Sequence, residues 1–115
     1  MNIEDLRDYA LSKTDAEESL PFGPDTLVFK VNSKIFLLIS LNDQPVHFNA
    51  KCDPDKAVEL RDKYSSVQPG YHMNKKHWNT ITIDGSLTNK QLKELVDHSY
   101  ALVAPKPKKR PGNLL

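Results

Sequence analysis

Residues 26–41 read Thr-Leu-Val-Phe-Lys-Val-Asn-Ser-Lys-Ile-Phe-Leu-Leu-Ile-Ser-Leu. The first six alternate. Leu27, Phe29 and Val31 point one way and Val28 and Lys30 the other, which is the period of a strand. Asn32-Ser33 then supplies a two-residue turn, since asparagine tolerates positive φ. From Lys34 to Leu41 the chain is apolar at nearly every position, as suits a strand buried on both faces or crossed by a helix. Strands joined by so short a link run antiparallel. This hairpin makes the frame an antiparallel meander.

The C-terminal side extends it. Asn42-Asp43-Gln44-Pro45 turns the chain, and Val46 to Ala50 forms a third strand with Val46, Phe48 and Ala50 on one side and His47 and Asn49 on the other. Asp53-Pro54 opens a helix, with Asp53 as N-cap and Pro54 in the first position. Ala57, Leu60, Arg61 and Tyr64 mark its stripe, and it ends near Ser65-Ser66. A further strand runs from Trp78 to Ile83 and breaks at Asp84-Gly85-Ser86. Thr88 to Gln91 is a capping box, with Leu87 and Leu92 as a hydrophobic staple. Leu92, Leu95, Val96, Ser99, Tyr100 and Val103 then give the stripe of a helix packed on a sheet, and Pro105 and Pro107 stop it.

On the N-terminal side, Asn2 caps a helix reaching about Ser12, with Ile3, Leu6 and Ala10 on one stripe. Thr14 to Glu18 connects. Ser19 to Asp25, with two prolines and a glycine, reads as a short edge strand followed by a turn. The fold class is α+β: an antiparallel sheet with N- and C-terminal helices packed on one face and one inserted helix. Residues 1–104 form a single domain. Residues 105–115 form a basic, proline-rich tail whose composition does not favour order.

The chain has 115 residues, 38% hydrophobic and 27% charged, with a net charge of +1. That balance suits a soluble globular protein, and no apolar run approaches the ~20 residues that cross a bilayer. The start of the chain lacks the pattern of a secretory signal, and the single cysteine excludes an intramolecular disulfide; the expected compartment is the cytoplasm. The charge is polarised. Residues 1–30 hold three basic and seven acidic residues, and the remainder thirteen basic and eight acidic. One face can therefore attract a polyanion while the molecule stays near neutral.

The densest group of reactive side chains is Pro69-Gly70-Tyr71-His72-Met73-Asn74-Lys75-Lys76-His77-Trp78. Lys75 and Lys76 can neutralise phosphates, and the Asn74 amide can bond a phosphate or a base edge. Tyr71, His72, His77 and Trp78 offer flat surfaces for an unpaired base. Lys30 and Lys34 flank the first hairpin and extend the footprint. The tail residues Lys106, Lys108, Lys109 and Arg110 add nonspecific attraction. A structural reading stands beside this one, in which Trp78 and Met73 anchor the core and a histidine holds the turn. The histidines match no zinc template, and there is no Gly-rich phosphate loop or nucleophile elbow, so no enzyme, cofactor or metal is expected. Cys52 reads as a small apolar filler.

Residues 69–80 closely resemble the signature of the MmcQ/YjbR-like proteins. Pro21-Phe22-Gly23, Val28-Phe29-Lys30-Val31, Lys34-Ile35-Phe36, Lys51-Cys52-Asp53-Pro54 and Ser99-Tyr100-Ala101-Leu102-Val103 agree in order, so the likeness covers almost the whole chain before the tail. It implies a frataxin-like fold and a small bacterial cytoplasmic protein that binds DNA with β-hairpins as a double wing. This sequence departs at Asn32-Ser33, where a glycine is common in relatives. The fold does not bring an iron role with it, and Glu4, Asp5 and Asp8 read as a solvated helix face. Three classes stay open for the 69–78 stretch: DNA binding, a pocket for a small anion, and a protein-interaction surface. A monomer without membrane association is expected.

Overall fold

The computed structural model describes residues 1–70 and 73–105. In chain order the elements are α1 (Ile3–Leu11), β1 (Glu17–Ser19), β2 (Thr26–Val31), β3 (Lys34–Ser40), β4 (His47–Lys51), α2 (Pro54–Lys63), β5 (Val67–Pro69), β6 (Trp78–Thr82) and α3 (Asn89–Val103). The strands form one antiparallel sheet in the order β1-β2-β3-β4-β6-β5. The meander deduced from residues 26–41 is present, with α1, α3 and the inserted α2 around it.

Local chemistry sets the boundaries. Asn2 accepts the Asp5 N–H at 2.8 Å, and Asp5 completes the capping box of α1. Asp53 accepts the Lys56 N–H at 3.2 Å with Pro54 in the first turn of α2. Thr88 and Gln91 cap α3 reciprocally. The Asn32-Ser33 turn has φ of 53° and 66°, the left-handed pair that a type I′ hairpin requires.

Three boundaries depart from the sequence reading. The edge strand lies at Glu17–Ser19, ahead of the proline-rich loop rather than within 19–25, because its partner on β2 begins at Val28. The loop instead exposes Leu20 and Phe22. The inserted helix stops at Lys63, since Tyr64 is already extended. That leaves room for β5, a three-residue strand too short for periodicity to announce, which pairs on β6 through Val67↔Ile81 and Pro69↔Asn79.

The register divides the sheet into two faces. Leu27, Ile39, Phe48, Ile81 and Val67 form one continuous cross-strand row, and Phe29, Leu37, Ala50 and Asn79 the next. Leu6 and Ala10 of α1 and Leu92, Leu95, Val96 and Val103 of α3 join these rows in the core. A bulge at Phe36 lets both Phe36 and Leu37 enter that core, and Phe36 meets the Tyr100 ring edge-on at 5.4 Å. The helices are tied to one another and to the sheet. Tyr9 of α1 donates to Asp97 of α3 at 2.5 Å, Lys13 pairs with the same carboxylate, and Arg7 forks onto Glu18 of β1. Ser99 of α3 donates to the Phe36 carbonyl and accepts the Lys51 N–H.

Alternation puts the remaining strand residues on the opposite, outer face. Val28 and Leu38 are buried there and stand outside the main core cluster. Lys30, Ile35, His47, Asn49, Lys51, Trp78, Thr80 and Thr82 are half-buried, and Gln68 is exposed.

Candidate nucleic-acid interface

The antiparallel order gathers specific strand ends. β2 ends, β3 begins, β4 ends and β6 begins at the same end of the sheet, so Lys30, Lys34, Lys51 and Trp78 lie along one rim. From β2 to β6 are three strand spacings, about 14 Å. The two ends of the loop between β5 and β6 are tied at this rim: Gly70 donates to the Trp78 carbonyl at 2.8 Å, and the Cys52 N–H bonds the His77 carbonyl at 2.7 Å. Gly70 is required by contact. A Cβ there would lie 2.8 Å from the Trp78 Cβ and 3.0 Å from the Trp78 carbonyl oxygen.

The loop is held from α2 by Arg61. Its Nε donates to Asn79 Oδ1 at 2.7 Å, and its Nη2 reaches the carbonyls of Trp78, at 3.2 Å, and Lys75. Asn79 is buried, so the guanidinium satisfies a carbonyl oxygen that water does not reach. Asn74 turns the loop upon itself by accepting the Lys76 N–H at 2.9 Å, and its carbonyl takes the N–H groups of His77 and Trp78.

The residues predicted for the site therefore separate. Lys76 is exposed at the loop surface. Lys75 is exposed too, but its ammonium donates to the Gly70 carbonyl at 3.1 Å, so it helps close the loop. The Asn74 side chain is occupied by its turn. His77 is half-buried. Lys34 is exposed beside the Asn32-Ser33 turn, and Lys30 faces Glu17 across the β1–β2 pair. Tyr71, His72 and the tail residues Lys106, Lys108, Lys109 and Arg110 lie outside the described residues.

Trp78 corrects the expectation of a core anchor. Asn79, Ile81 and Ile83 take the inward phase of β6, which sends Trp78 outward, half-buried and directly opposite Lys51 of β4. Lys51 is a site candidate that the sequence reading does not include. The signal was available, because the inward phase of Phe48 and Ala50 already points Lys51 to the outer face. On the next rung, Thr80 donates to Asn49 Oδ1 at 2.5 Å.

The electrostatics separate the rim from the helical side. Arg7 and Lys13 are ion-paired to Glu18 and Asp97. Among the described residues no carboxylate lies within ion-pair distance of Lys34, Lys51, Lys75 or Lys76. Asp15 and Glu17 sit near the Asn32-Ser33 turn, lining a shallow hollow with it, so the unpaired positive charge runs from β3 through β4 to the 70–78 loop.

A small cavity of about 180 Å³ lies elsewhere, between α2 and α3, lined by Lys56, Leu60, Tyr64, Leu87, Gln91, Glu94 and Leu95; none of the predicted site residues borders it. No group of three or more potential metal ligands occurs among the described residues. Burial pushes the Cys52 thiol up from its ordinary value, the environment of a packing residue rather than a nucleophile. Among the described residues no helix is long and apolar enough to cross a membrane.

The YjbR family model matches residues 11–102. The chain belongs to the YjbR family. It is 38% identical over 100 residues to YbdF of Escherichia coli O157:H7, covering 87% of this chain and 82% of that protein. To YjbR of Escherichia coli K12 it is 35% identical over 100 residues, covering 87% and 85%. A crystal structure of a Deinococcus radiodurans protein with a DUF419 domain superposes with a TM-score of 0.85 at 39% identity, covering 89% of this chain and 78% of that one. A Pseudomonas syringae crystal structure gives 0.78 at 31% identity, covering 90% and 99%. The family expected from residues 69–80 is thus the family found, in bacterial relatives.

Proposed function

We propose that this protein binds DNA, without catalysis, through the basic rim of its sheet. The observation that carries the reading is that the fold collects Lys34, Lys51 and Lys76 at one sheet end with no carboxylate paired to them among the described residues. Lysine ammonium groups left to solvent are phosphate partners, and displacing counterions from a nucleic acid makes such contacts favourable. Arg61 and the Asn74 turn hold residues 74–78, so Lys76 is presented from a held backbone. The β2–β3 hairpin would serve as one wing, with Lys34 beside its tip. Binding of this kind belongs in the cytoplasm and asks no more than a monomer.

The test is fluorescence anisotropy of labelled DNA as a function of salt. Lys51→Ala/Lys76→Ala removes two rim charges and leaves Lys75, which closes the loop, in place. The expected result is weaker binding on every sequence and a salt slope shallower by about 1.4–1.8, since each lost contact removes ~0.7–0.9. Absence of binding at low salt, or an unchanged slope in the variant, would refute the reading.

A further inference from the structure

We infer that the nucleic acid held at this rim is single-stranded, and that Trp78 is the platform on which an unpaired base stacks; this rests on the binding reading above. The argument comes from the register. Trp78 and Lys51 are cross-strand partners on the outer face, so an aromatic surface and a cation stand side by side, one strand apart. Neither is among the buried core residues, and both keep part of their surface open to solvent. A stacked base and its own phosphate need that juxtaposition: a ring for the π-face and a charge for the backbone. Lys76 on the loop and Lys30, which faces outward with Ile35, continue the charge along the rim, while Lys34, opposite the buried Val31, stands at the hairpin end on the other face.

A duplex fits this arrangement poorly. Its bases are already stacked inside, and readers of duplex insert a protruding helix or ribbon into a groove. The hairpin tip that protrudes from this rim, Asn32-Ser33, is two small polar residues long. Trp78 instead belongs to a strand of the sheet, where a base must come to it. The acidic pair Asp15 and Glu17 marks the β1 side as unfavourable for a phosphate chain, so the path runs across β3, β4 and β6.

Trp78 is the only tryptophan in the chain, so its intrinsic fluorescence reports this position alone. The experiment titrates the full-length protein with an oligothymidylate of about 12 nucleotides, with the blunt dA·dT duplex of equal length, and with poly-glutamate as a generic polyanion. The expected result is quenching by the single strand, with the duplex binding at least 10-fold more weakly and poly-glutamate leaving the signal unchanged. Trp78→Ala is expected to lower single-strand affinity about 10-fold, and Trp78→Phe, which keeps a flat ring, by less than about 3-fold. Circular dichroism melts establish that both variants fold, and the wild-type quenching stands if either does not. Equal affinity for single strand and duplex with no quenching overturns the inference, while salt-sensitive binding that depends on Lys51 and Lys76 would leave the broader reading intact. Quenching by poly-glutamate equal to that by the oligonucleotide overturns the inference in favour of an acidic protein partner. No response to either nucleic acid overturns both.

Discussion

Arg61 shows how one side chain can hold a loop that the sequence presents as a recognition element. It lies on α2 and was legible as part of that helix's stripe, but nothing local to it indicates a partner eighteen residues on. Its guanidinium offers several donors in a fixed plane, and here they converge on the Asn79 side chain and the Trp78 and Lys75 carbonyls. Arg61→Ala leaves the buried Asn79 oxygen without its donor and frees the loop from α2. Stability in urea is expected to fall by about 2–3 kcal/mol. Arg61→Lys should restore little, since one ammonium cannot reproduce the planar fork. A loss below about 0.5 kcal/mol in Arg61→Ala would show that Gly70 and the strand pairing hold the loop without it.

The elements were mostly readable because they follow local rules. Caps at Asn2, Asp53 and Thr88, the stripe of α3 and the alternation around Phe29 and Phe48 each specify an element without reference to the rest of the chain. The failures have physical causes. β5 is three residues of Val-Gln-Pro, too short for a period, and exists because β6 offers it an edge. β1 is polar, and its pairing comes from Arg7 and the β2 ladder rather than from a hydrophobic pattern. The core-anchor reading of Trp78 rests on residue type, large aromatics being commonly buried, whereas the phase of Ile81 and Ile83 sends it outward. In the candidate site, the lysine rim was half legible: Lys75, Lys76, Lys30 and Lys34 were named, but the end of the sheet they share with Lys51 depends on strand order. The β2–β3 turn gives this scale its prediction. Ser33 holds a φ of 66° with a Cβ that crowds the backbone there. Ser33→Gly is expected to stabilise the protein by about 0.5–1 kcal/mol in thermal or urea unfolding, the relief of strain exceeding glycine's entropic cost. Asn32, a better left-handed residue, should gain less from the same change. A destabilised Ser33→Gly would mean that the turn is not strained.

Across the whole molecule, stability depends on how three helices are joined to a sheet whose outer face they leave uncovered, and one junction is protonation-sensitive. His98 of α3 accepts the Asp53 N–H through Nε2 at 3.1 Å, joining α3 to the N-cap of α2. Only neutral imidazole can accept that bond. Burial and the nearby Lys56 push the His98 pKa below its ordinary value, against a smaller opposing pull from Asp53. The folded state thus binds the His98 proton less readily than the unfolded chain does. The contribution is fully present above the unfolded value of about 6.5 and is lost as pH falls from there through the lowered folded pKa. Acid unfolding through carboxylates lies lower: burial pushes Asp97 up, but the bonds from Lys13 and Tyr9 override it and hold it below the usual carboxylate range. Melting temperature is therefore expected to drop as pH falls below about 6.5, before the carboxylates titrate. His98→Gln, which retains an acceptor and cannot take up a proton in this range, should flatten that step. An equal drop in His98→Gln and the parent protein would assign the effect to another group. Since α2 carries Arg61, the same acid step should loosen the 70–78 loop, and the Trp78 emission should shift over the same pH window in the parent and hold steady in His98→Gln.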